Sequence, residues 1–430
     1  MVKKHRNRRM KQKSTPKTTI RTGLITALDV GTTKIACFIA RPLDSGAAEV
    51  IGVGHQVSRG IKNGNIIDMV AVEDSIRSTV EAAEHMAGEN VRDVVLCISG
   101  AVPESKLISF DVAISGHEIS NTDLKRALDP TWLYSQQDDD RHIIHTLPVA
   151  YSIDGNPGIK DPRGMFGEKL GVNMHVITAS VGALRNITAC VNRCHLDVER
   201  QVVGSYAAGL SCLVEDEKEL GVICIDMGGG TTDISVFFDG EVVYTDSVPL
   251  GGNHVTNDIA RGLSTPLTHA ERMKTLYGSA IPSASDDQEF IKVPLVGEAD
   301  DGENQIPRSM LVGIIRPRIE EIFELVREKL EPTGFEKAGA RRVVLTGGGS
   351  QLTGVRELAA EMMDKQVRLG QPYFVKELAE SVSGPAFSAP AGLIQFVLKE
   401  RKAVSMTSSL NVEAPSGKFS RIGKWLRENI

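Results

Sequence analysis

Apolar positions along this chain follow two rhythms. Short continuous runs of β-prone residues come in pairs: Leu24-Ile25-Thr26-Ala27-Leu28 with Ile35-Ala36-Cys37-Phe38-Ile39, and Val222-Ile223-Cys224-Ile225 with Ile234-Ser235-Val236-Phe237-Phe238. Each pair encloses a short Gly/Thr stretch, so each reads as strand, turn, strand. The spacing from Ile66 to Met86 predicts a helix, and Val94 to Ile98 the buried strand that follows it. Strands alternating with helices in this way predict an α/β fold. Val343 to Leu345, running into glycines, echoes Val95 to Ile98 running into Ser99-Gly100. Two lobes descended from a duplicated unit would produce that echo.

Other stretches have a different texture. Between Ala101 and Val176, separated strand-like runs (Leu107 to Ile114, His142 to Tyr151) and one helical stretch after Ser120-Asn121-Thr122 suggest an inserted subdomain. A second insertion, roughly Pro249 to Glu336, contains the polar stretch Ser283 to Glu303, expected to be mobile, and a helix from Ser309 to Leu330. From Lys402 to Pro415 the chain turns Ser-, Thr-, Asn- and Ala-rich and loses periodicity, which predicts a flexible tether.

After the tether the pattern becomes amphipathic. At helical spacing Phe419, Ile422, Trp425, Leu426 and Ile430 share an arc of about 140°, with Arg421, Lys424 and Arg427 opposite and Ser416 as a candidate N-cap. A helix of about 15 residues is marginal alone in water, so it needs a surface. The chain's own core is one such surface. The tether, the tryptophan and the basic polar face favour a lipid headgroup boundary instead.

Composition narrows the class. The 430 residues, 41% hydrophobic and 24% charged, suit a globular protein of two to four compact units. No apolar run approaches the roughly 18 residues that a membrane-spanning helix needs. Residues 1 to 21 hold nine Lys or Arg and no acid, without the apolar stretch of an export signal. They read as a disordered basic arm, with contact to anionic lipid or an acidic partner as the sharper alternative. Of six cysteines, Cys37, Cys97, Cys212 and Cys224 lie in apolar segments and suit a reducing cytoplasm. Cys190, Cys194 and His195 lack a second ligand pair at zinc-site spacing, so core packing is the better reading. The ten histidines show no metal-ligand pairing.

The chemistry sits in the turns. Asp29-Val30-Gly31-Thr32-Thr33-Lys34 and Asp226-Met227-Gly228-Gly229-Gly230-Thr231-Thr232-Asp233 look like one phosphate-gripping turn written twice. Glycine allows positive φ and leaves no side chain in the way of an oxyanion, so backbone N–H groups can point at it. The Asp closing each first strand stands where a Mg2+ among phosphate oxygens wants a carboxylate, directly or through water. One such turn is usually an ordinary hairpin. A second copy, and a third cluster at Thr346-Gly347-Gly348-Gly349-Ser350 before a helix near Leu352, argue for a nucleotide clamp.

Two phosphate turns and a glycine-rich adenosine turn in this order resemble the actin, Hsp70 and sugar-kinase superfamily over residues 23 to 400. The stretches Ser58-Arg59-Gly60-Ile61-Lys62-Asn63-Gly64, Val95-Leu96-Cys97-Ile98-Ser99-Gly100 and Pro249-Leu250-Gly251-Gly252-Asn253-His254-Val255-Thr256-Asn257-Asp258-Ile259-Ala260, with the last turn of the chain, resemble the FtsA family of bacterial cell-division proteins.

The resemblance implies a two-lobed, actin-like (ribonuclease H-like) α/β ATPase fold with an α+β subdomain inserted in the first lobe and a C-terminal amphipathic helix. The implied units are a disordered basic arm (1–22), subdomain 1A (23–100, 178–204 and 380–400), inserted subdomain 1C (101–177) and subdomain 2A (205–248 and 337–379). Subdomain 2B (249–336), a linker (401–414) and the membrane-targeting helix (415–430) complete the set. Gly31, Thr32, Thr33 and Lys34 would hold ATP phosphates from one lobe, and Gly228, Gly229, Gly230, Thr231 and Thr232 from the other. Asp29 and Asp226 would face Mg2+, and Asp233 matches a further acidic position near the metal. Glu271 and Lys274 would grip ribose and base, with Gly347, Gly348 and Gly349 beside the adenosine.

Superfamily ATPases that turn over well carry a carboxylate at the start of the helix joining the lobes, and the alignment puts Gly204 there. ATP is therefore expected to bind firmly and to be hydrolysed weakly at most. The implied partners are FtsZ through its C-terminal peptide, further copies of the chain, later divisome membrane proteins and anionic inner-membrane lipid, with no nucleic acid. The implied place is the cytoplasmic face of the inner membrane at the division site. Three rivals remain. A phosphotransferase of this fold needs a catalytic base that is not found, and an Hsp70-like chaperone needs a peptide-binding domain after residue 400. A pilus-type scaffold is harder to separate.

Overall fold

The structure, a computed structural model, describes residues 23–410 apart from 130, 135–137, 298–303, 336–340 and 374–378. One five-stranded pattern occurs twice. In the first lobe β1 (Ile25–Val30), β2 (Lys34–Pro42) and β3 (Ala48–Val57) form an antiparallel meander, to which β6 (Asp93–Ile98) and β11 (Asp197–Val203) add in parallel, giving the order β11-β6-β1-β2-β3. The second lobe repeats this with β12 (Val222–Met227), β13 (Thr232–Phe238), β14 (Glu241–Val248), β17 (Arg342–Thr346) and β18 (Gln366–Leu369), in the order β14-β13-β12-β17-β18. The central strands β1 and β12 are almost wholly buried, which is why their sequences read as unbroken apolar runs.

Parallel neighbours need crossovers, and helices supply them. α1 (Met69–Ala87) leads from β3 to β6. It starts three residues later than the apolar spacing suggests, because the Asp68 side chain accepts from Val70 N and Ala71 N at 3.0 and 3.2 Å and so caps it. Residues 61–66 are instead spent on a small hairpin, β4 (Ile61–Lys62) with β5 (Asn65–Ile66).

The two lobes carry their insertions at different points. After β6 the first lobe gives out an antiparallel sheet, order β7-β10-β8-β9, from β7 (Glu104–Ala113), β8 (Arg141–Ile153), β9 (Asn156–Ile159) and β10 (Lys169–Ser180). With it come α2 (Asn121–Ala127), capped by Ser120, and the short α3 (Thr131–Tyr134). The insertion has its own core around Ile119, Leu170, Val172 and Met174, and α4 (Val181–Arg193) then returns the chain to β11. The second lobe's insertion follows β14. It contains α7 (Gly252–Gly262), α8 (Leu267–Tyr277), the pair β15 (Phe290–Lys292) with β16 (Gln305–Pro307), and α9 (Arg308–Leu330). Part of the stretch expected to be mobile is thus pinned: Asp286 is buried and accepts from Arg308 Nη1 at 2.7 Å.

Two helices run between the lobes. α5 (Gly204–Cys212) has all nine residues buried, and α6 (Glu215–Leu220) leads from it to β12. α10 (Val355–Met363) joins β17 to β18, and α11 (Ser388–Leu410) crosses back beneath the first lobe. The crossing of α5 and α11 is close: a Cβ on Gly392 would lie 1.7 Å from the Ala207 carbonyl oxygen. Around it Phe38, Tyr206, Phe237, Leu393 and Ile394 form one core shared by both lobes.

α11 corrects one expectation. It continues to Leu410, across nine residues of the expected tether. The reason is that no Gly or Pro occurs from Leu393 to Ala414, so a helix already nucleated on the core propagates through a polar sequence. The predicted basic arm and the membrane-targeting helix lie outside the described residues.

The crossing yields a test. Gly392→Ala is expected to lose about 1–3 kcal/mol of stability through overpacking, despite alanine's better helix propensity. Urea unfolding should show a lower midpoint at unchanged slope.

Candidate functional site

The two Gly/Thr turns are the same object in three dimensions. Gly31 N donates to Lys34 O at 3.0 Å and Gly228 N to Thr231 O at 2.9 Å, so Thr32-Thr33 and Gly229-Gly230 are matching two-residue hairpin tips. The tips face each other. A Cβ on Gly229 would stand 2.2 Å from Thr33 Cγ2, and one on Gly230 2.4 Å from Thr32 Oγ1. Neither tip uses positive φ, contrary to half of the expectation. Glycine is required for the missing Cβ instead, because the opposite tip occupies that space.

More backbone gathers behind the second tip. Gly252 N and Asn253 N at the start of α7 donate to Gly228 O and Gly229 O at 2.9 and 2.8 Å. Gly347 does adopt positive φ, 82°, and its Cβ would collide with Asp226 Oδ1 at 2.2 Å. The third glycine cluster therefore lies against the second carboxylate. Together these elements enclose a cavity of about 310 Å3 lined by Asp29, Gly31 to Lys34, Asp226 to Thr231, Asp233, Glu271, Lys274 and Gly347 to Gly349.

Thr232 is the exception among the sequence-predicted residues. Strand alternation turns it away, and its buried hydroxyl donates to Leu250 O at 2.8 Å. Sequence reasoning also missed several residues. Ser99, Gly252, Asn253, Thr275, Gln351 and Ala386 line the same cavity. The β4–β5 hairpin reaches it as well, with Gly64 N donating to Thr32 Oγ1 at 3.0 Å and the Asn63 Cα 2.9 Å from where a Gly230 Cβ would sit. The Asn-Gly dipeptide, a turn signal, and the Gly-Gly before α7 were the available clues.

Electrostatically the cleft floor is under-compensated. Burial raises the pKa of Asp29, with Lys34 opposing the rise. Burial, then the charges of Asp233 and Asp29, pushes Asp226 up to about 7. Burial likewise lifts Asp233 to about 6, although it accepts from the Ser247 and Thr231 hydroxyls. Lys34, the nearest cation, is engaged elsewhere: its ammonium donates to Ala386 O and stands 4.7 Å over the Phe387 ring. Lys274 donates to Gly252 O, Thr256 Oγ1 and Glu271 Oε2 at 3.1, 2.9 and 2.7 Å, so the pair expected at the ribose also knits α7 to α8.

This arrangement fits a magnesium-bearing polyphosphate. The facing tips leave no room for a side chain on Gly229 or Gly230, and three carboxylates, Asp29 and Asp233 buried and Asp226 partly buried, lack countercharge. Among the described residues no cluster of three or more ligating side chains could cage a metal. Asp29 and Asp226 are the residues that would face a Mg2+, directly or through water, and the metal would supply countercharge to phosphate. A Cβ on Gly204 would lie 3.0 Å from Ser99 Oγ and 3.3 Å from Cys97 Sγ, so no carboxylate stands at the start of α5.

Comparison with known proteins gives a consistent picture. The family model "Cell division protein FtsA" matches residues 223–392, and the model "SHS2 domain inserted in FTSA" matches residues 100–178, the stretch read as an insertion. The cell division protein FtsA of Rhizobium meliloti (strain 1021) is 43% identical over 423 residues, covering 95% of this chain and 96% of that protein. Among solved structures, the PilM-PilN type IV pilus biogenesis complex aligns at TM-score 0.63 and 16% identity, covering 88% of this chain and 99% of that one. MreB5 of Spiroplasma citri bound to ADP aligns at TM-score 0.55 and 14% identity, covering 89% and 99%. At these identities the structures speak to the fold alone, and the fold is the two-lobed actin-like one expected.

The raised carboxylates predict an unusual pH profile. From about pH 4 to 7 the folded chain holds protons on Asp226 that the unfolded chain has released, so this residue's contribution to stability falls as pH rises through that window. Asp226→Asn removes the charge without changing shape. Its melting temperature without ligand should exceed the parent's by roughly 2 °C or more at pH 8 and by less at pH 5, as followed by scanning calorimetry.

Proposed function

The chain belongs to the FtsA family of cell division proteins, and from that premise we propose that it is an ATP-binding, self-associating adaptor that attaches the FtsZ ring to the inner membrane and recruits later divisome proteins. The observation that carries the nucleotide part is the meeting of two hairpin tips over three carboxylates, Asp29 and Asp233 buried and Asp226 partly so. Mg2+ would neutralise phosphate charge there, with Asp29 and Asp226 on the metal side and backbone N–H groups of both tips on the phosphate side. Asp233 and Lys34 act from the next layer. Glu271, Lys274 and Gly347 to Gly349 bound the end of the cleft where ribose and base would lie. ATP then favours the closed shape that packs into filaments.

Turnover is expected to be slow. An acid at residue 204 would have to displace Ser99 and Cys97, and phosphoryl transfer without a positioned base relies on metal and backbone electrostatics alone. Among the described residues, no catalytic base beside a second substrate pocket supports the phosphotransferase alternative.

Membrane attachment rests on the C-terminal sequence. Among the described residues no helix is long and apolar enough to cross a membrane. The amphipathic stretch with Phe419, Trp425 and Leu426 on one side and Arg421, Lys424 and Arg427 on the other would lie in the interface instead. Burial of a few large side chains and about 1 kcal/mol per basic residue near anionic lipid give one copy a reversible hold. A row of copies gains a firm one through effective concentration. In the second lobe's insertion, Tyr277 and Phe290 stand exposed near Arg308, which donates to Tyr277 O, and this supports docking of a short peptide such as the C-terminal segment of FtsZ.

Two outcomes are expected. Isothermal calorimetry with Mg2+ and ATP should register binding to the parent chain and none to Asp226→Ala. In liposome flotation on anionic vesicles, the full chain should carry FtsZ upward, and a chain ending at residue 414 should leave FtsZ at the bottom. Equal flotation by both would remove the membrane role assigned to the tail.

A further inference from the structure

The inserted subdomain of the first lobe is bonded to the second. It leaves lobe one after Gly100 and returns at Ser180, so by chain connectivity it should ride with lobe one. Yet two of its strands face β14, the edge strand of the other lobe. Thr245 N on β14 donates to Ser105 Oγ at 3.1 Å, and Ser105 Oγ lies 2.5 Å from His175 Nε2. His175 Nδ1 lies 2.9 Å from Val242 O. A carbonyl can only accept, so Nδ1 carries the proton and Nε2 accepts from the Ser105 hydroxyl. The result is a directional chain: Thr245 N–H to Ser105, Ser105 O–H to His175, His175 N–H to Val242.

Nothing about this seam is accidental packing at a surface. His175 is fully buried, and burial drives its pKa down to about 4, so the ring is neutral, as the chain of bonds requires. A second buried histidine fixes the subdomain at the hinge itself. His145 Nε2 accepts from Val203 N at 3.2 Å, where β11 passes into α5, and its ring meets Tyr206 and Phe396 at 5.6 and 5.7 Å. An exposed pair, Lys160 with Glu219, adds a weaker tie at 3.0 Å. The lobes are therefore joined by the helices α5 and α11 and, beside them, by a non-covalent bridge.

We propose that the inserted subdomain is a latch on the cleft, with the Ser105–His175 pair on β14 as its catch, and that release of this catch governs how fast nucleotide enters and leaves. The helical crossing permits rotation, since two connections define a hinge. A third attachment to one side opposes that rotation until it lets go. This inference rests on the ATP-binding reading for its consequence, but the restraint on the lobes stands without it.

The test uses the full chain with Ser105→Ala and His175→Phe. Hydrogen exchange on the nucleotide-free protein should rise several-fold over β14, over the Asp226–Thr232 turn and over α5. Release of a fluorescent methylanthraniloyl-ATP should speed up about ten-fold or more, the loss expected for one or two buried bonds. Unchanged exchange at the turn and α5, with β14 itself deprotected, would overturn the latch, as would unchanged β14. Should the parent chain bind no nucleotide analogue, the ATP reading fails and the exchange arm still decides the latch. If His175→Phe does not fold, Ser105→Ala carries the decision, since it deletes a single hydroxyl.

Discussion

Everything about the cleft depends on how closely two helices can cross beneath it. α5 is composed of Gly, Ser, Ala and a few larger residues, all buried, and α11 meets it through Gly392 over the Ala207 carbonyl. Small residues bring the two helix axes together, and that brings the floors of two separately folded sheets to one level. Phe38 from one sheet and Phe237 from the other then share a core with Tyr206 and Leu393. Burial of such side chains contributes on the order of 1.5–3 kcal/mol each, so the junction is a main source of stability as well as a pivot.

Bringing the floors level has an electrostatic consequence. Asp29 and Asp226 end equivalent strands, so the pseudo-symmetry that aligns the sheets also drives two carboxylates into one buried space, with Asp233 as a third. The two tips meet through the uncharged Thr32 and Thr33 side chains against Gly229 and Gly230, which bring no countercharge. Lys34 is drawn aside to Ala386 and Phe387. A site with this much uncompensated negative charge is costly without a cation, which is the usual signature of function rather than of stability.

Most of this was legible in the sequence where a local rule operates alone. The paired strands, the helix from Arg308 to Leu330 and the insertion after Gly100 follow from periodicity and turn residues. The three glycine clusters were visible as composition, yet the reason for Gly229 and Gly230 was not: neither takes a positive φ, and the need for glycine comes from Thr33 and Thr32, some 200 residues away in sequence. Thr232 was assigned to the cleft because a motif does not reveal which face a strand residue takes. The continuation of α11 to Leu410 was missed because a polar composition says little once a helix is nucleated elsewhere. The seam between His175 and β14 has no sequence signal, since lone histidines in apolar runs look alike whether they bridge lobes or fill a core.

The same crossing also bears on turnover. Gly204 opens α5, and its missing side chain leaves space already taken by Ser99 Oγ and Cys97 Sγ. A side chain introduced there would ask the Ser99 and Cys97 side chains to give by a few tenths of an ångström. Glycine at 204 thus leaves the start of α5 without a carboxylate. On the proposed reading, nucleotide then acts less as fuel than as a ligand whose binding energy sets the angle between the lobes. Were copies lined up on a membrane as proposed, slow hydrolysis would lengthen the time each stays in register.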